Sequence, residues 1–285
     1  MWLLLAPYAA GLVLLVVIPG IATLGLAAFE YDLVRPPSFA GLENFAGLAS
    51  DPVFAIVVRN TVAFVAIAVP LRLVAATALA LLLHRSAMRG GGLYRLAIFV
   101  PSIVPEAAFA IAWLWILNPL YGPLNGFLEG FGAGPVAWLT DPGTTQAAIV
   151  LMSLLTIGEA FVIAVAARRA VPRDLHDMAV VDGASSVAVI RNVTIPLMAP
   201  VLLLVALRDV VLAVQATYVP SLVVTDGGPP PYATTYGPLF VYEQAFEYLR
   251  YGYAAAATAI FIGVTCLLVA LQIAVLRRWR HWAWT

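Results

Sequence analysis

The sequence predicts an all-α protein: a polytopic bundle of about six transmembrane helices that forms a single domain over residues 1–285. Of its 285 residues, 63% are hydrophobic and only 11% are charged, whereas an ordinary soluble domain is about 25% charged. Runs of about 20 apolar residues, the length that crosses a bilayer as a helix, occur six times. These predicted spans are 2–28, 60–83, 94–117, 146–167, 197–222 and 253–276.

The placement of arginine predicts which connections between spans face the cytosol, because cytosolic loops are enriched in positive charge. All fifteen basic residues are arginine, and ten of them lie between spans two and three, between spans four and five, or after span six. We therefore expect these connections and both termini to be cytosolic, with segments 29–59, 118–145 and 223–252 outside. The ten arginines are Arg85, Arg89, Arg95, Arg168, Arg169, Arg173, Arg191, Arg277, Arg278 and Arg280.

The predicted outer segments contain short ordered elements. The first has a turn followed by an amphipathic helix, with Phe45, Leu48 and Phe54 at roughly helical spacing. The second has a turn at 121–125 that opens another helix, and the third has a cluster of Gly and Pro at 226–231. Such segments either receive a soluble partner or cap the bundle at the membrane surface, and the sequence leaves both interpretations open.

The connection between spans four and five, from Ala170 to Arg191, predicts two short helices that project into the cytosol. Pro172 favours the start of the first helix, and Gly183 supplies the positive φ at which that helix ends. Ser185 or the serine after it caps the second helix. Pro196 stands at the start of the fifth span, where its missing N–H costs least. This helix-turn-helix has a suitable shape to enter a groove of another protein.

The residue patterns of an enzyme are missing from the sequence. A nucleotide-binding loop of the Walker A type needs a lysine, and the chain has none. His84, His176 and His281 have no zinc-site spacing, and Cys266 is the single cysteine. We expect no catalytic residue, no metal ligand and no cofactor on this chain, and its zero net charge gives no indication of nucleic-acid binding. Energy for transport would come from an ion gradient or from another subunit.

Polar side chains within the predicted spans are the candidates for the interior of the bundle, because a charge at the membrane centre costs about 2.5–3.5 kcal/mol on insertion scales. Arg208 and Asp209 are sequence neighbours on different helix faces, so each is expected to need a partner on another helix. Arg72 is predicted to pair with Glu106 or Asp209. The complete set is Arg72, Glu106, Glu159, Arg208, Asp209 and Gln215.

Two roles for these polar groups remain open at this level. They either tie helices together or contact a solute. A site for a solute rich in hydroxyl groups needs matching donors and acceptors beside an aromatic ring, which Glu159, Gln215 and Tyr218 could supply, with Trp113 and Trp115 on the third span. An anionic solute would instead need a free arginine. The candidate pathway residues are Glu159, Arg208, Asp209, Gln215 and Tyr218.

The spacing in the cytosolic loop resembles the EAA loop of inner-membrane permeases in binding-protein-dependent ABC importers. That motif reads Glu-Ala-Ala, three residues, Gly, nine residues, and Ile-x-Leu-Pro. Asp177-Met178-Ala179 fills the first position, Gly183 the second and Val193-Thr194-Ile195-Pro196 the last, with every spacing kept. Asp for Glu and Met for Ala are departures from the motif.

The resemblance extends over essentially the whole chain and is closest to the sugar branch, which includes maltose, lactose and glycerol-3-phosphate permeases. Each matching segment is short, but they occur in the order typical of that branch. They are Gly41–Phe45, Arg59–Thr61, Asn118–Asn125, Asp182–Ala184, Thr225–Pro229, Tyr242, Ala245–Phe246 and Gly252–Ala254.

The resemblance implies a type I importer permease fold in which loop 170–196 is the coupling helix that docks on a cytosolic ATPase. It also implies a second permease subunit, two ATPase subunits that hold ATP and Mg²⁺, an extracytoplasmic binding protein, and a place in the lipid of a bacterial inner membrane. The implied ATPase-coupling residues are Asp177, Met178, Ala179, Asp182, Gly183, Ala184, Ile195 and Pro196.

The alternative function is a gradient-driven carrier of a small polar solute. Carriers of that kind are built from internal repeats around an ion site within the membrane. The sequence shows no clear internal repeat, and a carrier would leave the loop unexplained.

Overall fold

The computed structural model describes residues 2–83, 91–229 and 232–283. Helices make up nearly all regular structure in these ranges, which confirms the predicted all-α class. Four helices are long and apolar enough to cross a membrane, and two further spans result if each of two bent helix pairs is one span. The four helices are Leu5–Leu26, Pro52–Leu82, Ser186–Gln215 and Tyr251–Val275. Five residues named above lie outside the described residues: His84, Arg85, Arg89, Pro230 and Pro231.

The first span consists of α1 (Trp2–Leu12), a π-helical turn, and α2 (Ile18–Leu26). None of the residues in its most apolar stretch is buried, and Leu15 is 78% exposed. Contact with the rest of the bundle begins at the end of α2, where Ala27 enters an apolar cluster. The long apolar surface of this helix is therefore available to lipid.

A short outer extension follows the first span. Strands β1 (Phe29–Glu30) and β2 (Ser38–Phe39) pair antiparallel, and α3 (Glu43–Ser50) confirms the predicted amphipathic helix. Leu48 of α3 is 1% exposed. Phe54, which the spacing had assigned to the same helix, belongs to the next one.

The second span, α4 (Pro52–Leu82), begins eight residues before the predicted start at residue 60. The side chain of Asp51 caps this helix by accepting hydrogen bonds from the backbone N–H of Val53 at 2.8 Å and of Phe54 at 3.3 Å. Proline at the first helical position suits such a start. The predicted start lies too far along the chain because Arg59 and the residue after it interrupt the apolar run. The helix begins instead where Asp51 caps it.

The predicted third span is broken into two helices. It comprises α5 (Gly91–Phe99), a 3₁₀ turn over Val100–Ser102, and α6 (Glu106–Ile116). The two parts meet at 98°. Pro101 and Pro105 flank the break, and neither can donate a backbone hydrogen bond. A bent pair therefore replaces the continuous helix expected over 94–117.

Before the fourth span the chain forms α7 (Pro123–Glu129), which confirms the helix predicted after the turn at 121–125. Asn125, 3% exposed, fastens this segment. Its amide donates to the carbonyl oxygens of Pro119 at 3.2 Å and Val136 at 2.9 Å, and its Oδ1 accepts from the indole of Trp138 at 2.8 Å. The segment is an ordered cap.

The fourth span is also bent, because α8 (Pro142–Leu155) and α9 (Gly158–Ala170) meet at 48°. No proline lies at this break. The hydroxyl of Thr156 donates to the carbonyl of Ser153 at 3.0 Å, a local bond that competes with the regular helical pattern. The expected continuous span over 146–167 therefore has an irregular centre.

The cytosolic loop and the fifth span follow. Helix α10 (Arg173–Val181) stands alone, whereas α11 (Ser186–Val189) continues through a π-helical turn at Ile190–Thr194 into α12 (Ile195–Gln215). The second short helix predicted for the loop is therefore the first part of the fifth span. That span begins at Ser186, eleven residues before the predicted start.

The segment after α12 folds back into the bundle before the last span. It contains a π-helical turn (Pro220–Val224), α13 (Gly237–Tyr242) and a second π-helical turn (Glu243–Glu247). The last span is α14 (Tyr251–Ala283). Side chains of the other spans hold it in place: the hydroxyl of Thr61 accepts from the N–H of Gly237 at 3.0 Å. The amide of Gln146 donates to the carbonyl of Ala233 at 2.9 Å.

Three apolar clusters form the core, and α4 contributes to each of them. Toward its N-terminal end it packs against α13 and α14, in its middle against α6 and α8, and toward its C-terminal end against α9 and α12. The middle cluster includes Val69, and the last begins at Ala76. Arg72 lies between these two residues, at the junction of the two clusters.

Candidate functional site

The two helix breaks lie directly against each other. The backbone N–H of Gly158, at the start of α9, donates to the hydroxyl oxygen of Ser102 at 2.9 Å. A Cβ at position 158 would stand 2.6 Å from that oxygen and 2.9 Å from the Cα of Phe99. Glycine is therefore required at this position for the close approach of the two bent spans.

A cavity of about 410 Å³ opens where the breaks meet α4 and α12. Its lining includes groups that donate and accept hydrogen bonds and an aromatic ring. The principal lining side chains are Arg72, Ser102, Glu106, Phe109, Thr156, Glu159, Asp209 and Gln215. Three of the five candidate pathway residues, from two different spans, thus reach one site.

Arg72 connects three elements around this cavity. Its Nε lies 3.4 Å from Oδ2 of Asp209, an electrostatic contact without hydrogen-bond alignment. Its Nη2 donates to the carbonyl oxygen of Thr156 at 3.3 Å, at the break where the regular helical pattern is interrupted. Asp209 is 3% exposed. The predicted pairing of Arg72 with Asp209 is confirmed. The same arginine also donates a hydrogen bond to a backbone carbonyl oxygen at the helix break.

A second ion pair, between Arg208 of α12 and Glu159 of α9, lies beside the first. It is more open, with side chains 41% and 56% exposed. Arg208 and Asp209, expected to point apart, come within 4.0 Å of each other. Each nevertheless has a closer partner on another helix, which is the arrangement that the sequence predicted.

The remaining candidates have different surroundings. Glu106 lines the cavity, and within the described part of the chain no cationic group lies within 4.0 Å of it. Tyr218 does not line the cavity. Its ring contacts that of Tyr242 at a tilt, with the ring centroids 5.4 Å apart, in a row that continues through Phe246. Trp113 is buried in the core and Trp115 is 57% exposed, so neither tryptophan contributes to this site.

Sequence reasoning did not identify Ser102, Phe109 and Thr156 as site residues. They carry no charge, and serine and threonine are common within membrane helices, so composition gives no signal for them. Only the proximity of two breaks, far apart in sequence, brings them to the cavity. Paired breaks in neighbouring predicted spans would have been a usable signal.

The cytosolic loop has the helix end that its glycine predicts. Gly183 adopts φ +82°, and its N–H donates to the carbonyl of Val180 at 3.0 Å, while the N–H of Ala184 donates to that of Ala179 at 3.0 Å. This is the Schellman arrangement. The hydroxyl of Ser185 then accepts from the N–H of Ala188 at 3.3 Å and caps α11.

The surface of this loop combines apolar and acidic side chains. Met178 is 63% exposed, Val181 86% and Val187 73%, and Asp177 and Asp182 are exposed between them. Exposed apolar side chains that are grouped together mark interaction sites.

The end of the predicted coupling motif differs from expectation. Ile195 and Pro196 are half-buried and lie within the continuous fifth-span helix, not at its start. The π-helical turn ends at Thr194, two residues before Pro196, and its wider geometry accommodates a residue that has no N–H to donate.

The folded-back outer segment carries an acidic group outside the spans. Burial raises the pKa of the Glu243 carboxyl above its ordinary value of 4.5, and the neighbouring charges of Glu247 and Asp226 raise it further. These three carboxylates lie near the end of the aromatic row.

Comparison with known proteins relates this architecture to transport. The chain is 28% identical over 282 residues to the probable ABC transporter permease protein YesP of Bacillus subtilis, which covers 98% of this chain and 90% of that protein. It is 28% identical over 276 residues to the lactose transport system permease protein LacF of Rhizobium radiobacter, covering 95% and 92%.

A solved structure shares the fold. The crystal structure of a bacterial ABC transporter involved in the import of the acidic polysaccharide alginate contains a chain that matches with a TM-score of 0.83, at 20% identity, over 97% of this chain and 96% of that one. This confirms the predicted permease fold.

Residues 72–281 match the family model of the binding-protein-dependent transport system inner membrane component. This range includes both broken spans, the cytosolic loop and every residue of the cavity. The protein therefore belongs to this family of multi-pass membrane permease subunits of binding-protein-dependent importers.

Proposed function

We propose that the chain forms one half of the translocation pathway of an importer for a sugar or sugar-like solute. The observation that carries the proposal is the polar cavity between the two broken spans. Irregular backbone at membrane depth is tolerated where it lines a cavity, and this cavity presents acceptors at Glu159 and Gln215 beside the ring of Phe109. Those groups suit the hydroxyls and the apolar face of a sugar.

The relatives support the solute class. LacF is a lactose permease by name, and the structural neighbour belongs to an importer of a polysaccharide. Membership of this family argues against the alternative function, a gradient-driven carrier. Within the pathway we assign Glu159, Asp209 and Gln215 to the cavity wall, Arg208 to the ion pair at its edge, and Tyr218 to the aromatic row near the outer face.

The cytosolic loop is the proposed contact with the ATPase subunits. Helix α10 and the turn after it present Asp177, Met178, Asp182 and Gly183 at the surface, with Ala179 and Ala184 half-buried behind them. Ile195 and Pro196 would act by fixing the course of the helix that follows. ATP and Mg²⁺ would be held by the ATPases, so this chain would be neither an enzyme nor a cofactor-binding subunit.

The remaining partners follow from the same proposal. A second permease subunit would complete the cavity, and a binding protein would deliver the solute at the outer segments. Both termini would be cytosolic, in a bacterial inner membrane.

The ATPase contact can be tested with two matched glycines. Gly183 and Gly132 both end a helix in a Schellman arrangement with positive φ, and neither has an atom within 4 Å of an added Cβ. Valine at either position strains the backbone by a similar amount, of the order of 1–2 kcal/mol. We expect Gly183→Val to abolish co-purification of the ATPase with the tagged chain, and Gly132→Val to leave it intact.

Membrane insertion of both variants is checked by their recovery in the membrane fraction. Full ATPase recovery with Gly183→Val, or with the combined change Asp182→Arg and Gly183→Pro, would show that the loop is not part of the contact with the ATPase. Loss of the ATPase from both valine variants alike would attribute the effect to general destabilisation.

A further inference from the structure

The charged groups around the cavity indicate which kinds of sugar-like solute it accepts. We infer, building on the proposed function, that the cavity accepts uncharged sugars and rejects sugars that carry a carboxylate or phosphate group. The inference depends on which charged groups face the cavity and on which of them already have partners.

Carboxylates outnumber cations in the wall. Arg72 is the one cationic side chain among the described residues that line the cavity, whereas Glu106, Glu159 and Asp209 are all carboxylates. Arg208 stands at the edge, next to Glu159. Even with Arg208 included, the described groups are three carboxyl groups against two guanidinium groups.

Neither arginine is free to bind an anion. Arg72 contacts Asp209 and the backbone of Thr156, and Arg208 contacts Glu159 and approaches Asp209. An anionic solute would have to displace a carboxylate from its guanidinium partner. Displacing Asp209, which is 3% exposed, would leave that carboxylate without its cation in a poorly solvated site, which is strongly unfavourable. Glu159 is more exposed, so its displacement from Arg208 would cost less.

Glu106 adds to this discrimination. It lines the cavity and has no cation within 4.0 Å in the part of the chain that the structure describes. Like charges brought together at an interface disfavour binding. A neutral sugar has no such penalty, because its hydroxyls can donate to Glu106 and to the amide oxygen of Gln215.

The backbone does not set this preference. A chain with the same fold, at a TM-score of 0.83, belongs to an importer of an acidic polysaccharide. The fold is therefore compatible with anionic cargo. Side chains on α4, α6, α9 and α12 decide what this cavity accepts.

Saturation-transfer-difference NMR on the assembled importer, without its binding protein, tests the inference at the permease itself. The two probes are methyl glucoside and methyl glucuronide, which differ only in the carboxylate at C6. Omitting the binding protein ensures that selectivity arises in the membrane subunits. We expect the glucuronide to bind the wild-type assembly at least about tenfold more weakly than the glucoside.

Three variants identify the groups responsible. Glu159→Gln leaves Arg208 without its partner, and we expect it to bind the glucuronide within about threefold of the glucoside. The double variant Glu159→Gln with Arg208→Gln restores the original net charge. It should again bind the glucuronide more weakly than the glucoside, as the wild type does. Glu129→Gln, an exposed acid at the end of α7, is the matched control and should behave as wild type.

Several outcomes would overturn the inference. Equal or tighter binding of the glucuronide to wild type contradicts it, and so does the absence of binding by both probes. An unchanged preference in Glu159→Gln would show that the ion pair does not determine selectivity. Co-purification of the ATPase in the same samples reports separately on the proposed function, which can therefore fail or survive independently.

Discussion

At the scale of single residues, the two neighbouring ion pairs differ mainly in burial. Arg72 and Asp209 have side chains 18% and 3% exposed, whereas Arg208 and Glu159 are 41% and 56% exposed. A buried pair contributes little net stability, but removing one member leaves an uncompensated charge. An exposed pair is worth about 0–1 kcal/mol in total.

We therefore predict unequal effects from removing the two arginines. Arg72→Met should destabilise the assembled importer by about 3–5 kcal/mol, because the buried Asp209 loses its nearer cation and keeps only Arg208, at 4.0 Å. Arg208→Gln should lower the stability of the assembled importer by no more than about 1 kcal/mol. Thermal denaturation measures both, and the double variant Arg72→Met with Asp209→Leu should recover most of the loss. Equal shifts for the two single variants would contradict this account.

Glu243 gives a prediction on pH. Because its pKa is raised in the folded protein, the native state binds this proton more tightly than the unfolded state does. Its contribution to stability is therefore present at low pH and declines as the pH rises above about 4.5. Glu243→Gln should reduce the fall in melting temperature between pH 4.5 and 7.5. Glu129→Gln serves as the control, and identical pH profiles for Glu243→Gln and wild type would refute the prediction.

At the scale of elements, the structure differs from six straight helices at two places, and both places form the cavity wall. The break in the third span has an explanation in sequence, since Pro101 and Pro105 flank it. The break in the fourth span has no proline. It depends on Thr156 and on the bonds that Arg72 and Ser102 supply from other spans.

The contact between the breaks predicts a sharp effect at Gly158. A methyl group there would meet the backbone of Phe99 at 2.9 Å, which cannot move without shifting the 3₁₀ turn. We expect Gly158→Ala to lower both the melting temperature and solute uptake. Gly20→Ala is the control: it is also helical, but nothing lies within 4 Å of its added Cβ. Its expected effect is neutral or stabilising, by up to about 1 kcal/mol. Uptake at the wild-type level in Gly158→Ala would show that the two helix breaks can move apart without loss of transport.

At the scale of the whole molecule, the arrangement of arginines predicts the orientation in the membrane. The fourth span separates the loop that contains Met178 from the segment that contains Phe131, and both side chains are well exposed. In a Cys266→Ala background, we expect Phe131→Cys to react with a membrane-impermeant maleimide in intact cells. Met178→Cys should react only after permeabilisation, when the chain is expressed without ATPase subunits. The reverse pattern would invert the proposed topology.

The sequence by itself determined the class of fold, the approximate spans and the helix end in the loop between spans four and five. These depend on local properties: the apolar content of a 20-residue run, and the positive φ that Gly183 supplies. It also predicted that Arg72, Arg208 and Asp209 need partners on other helices, because a charge within the membrane is costly wherever it lies.

Only the tertiary structure decided the partners and the cavity. The choice of Asp209 over Glu106 for Arg72, the contact of Gly158 with Ser102, and the place of Thr156 all join residues from different spans. Local pattern carries no information on such distances, because helix packing, not periodicity, sets them. The same packing left Tyr218 outside the cavity and placed neutral side chains within it, so the chemistry of the site became visible only once the helices were assembled.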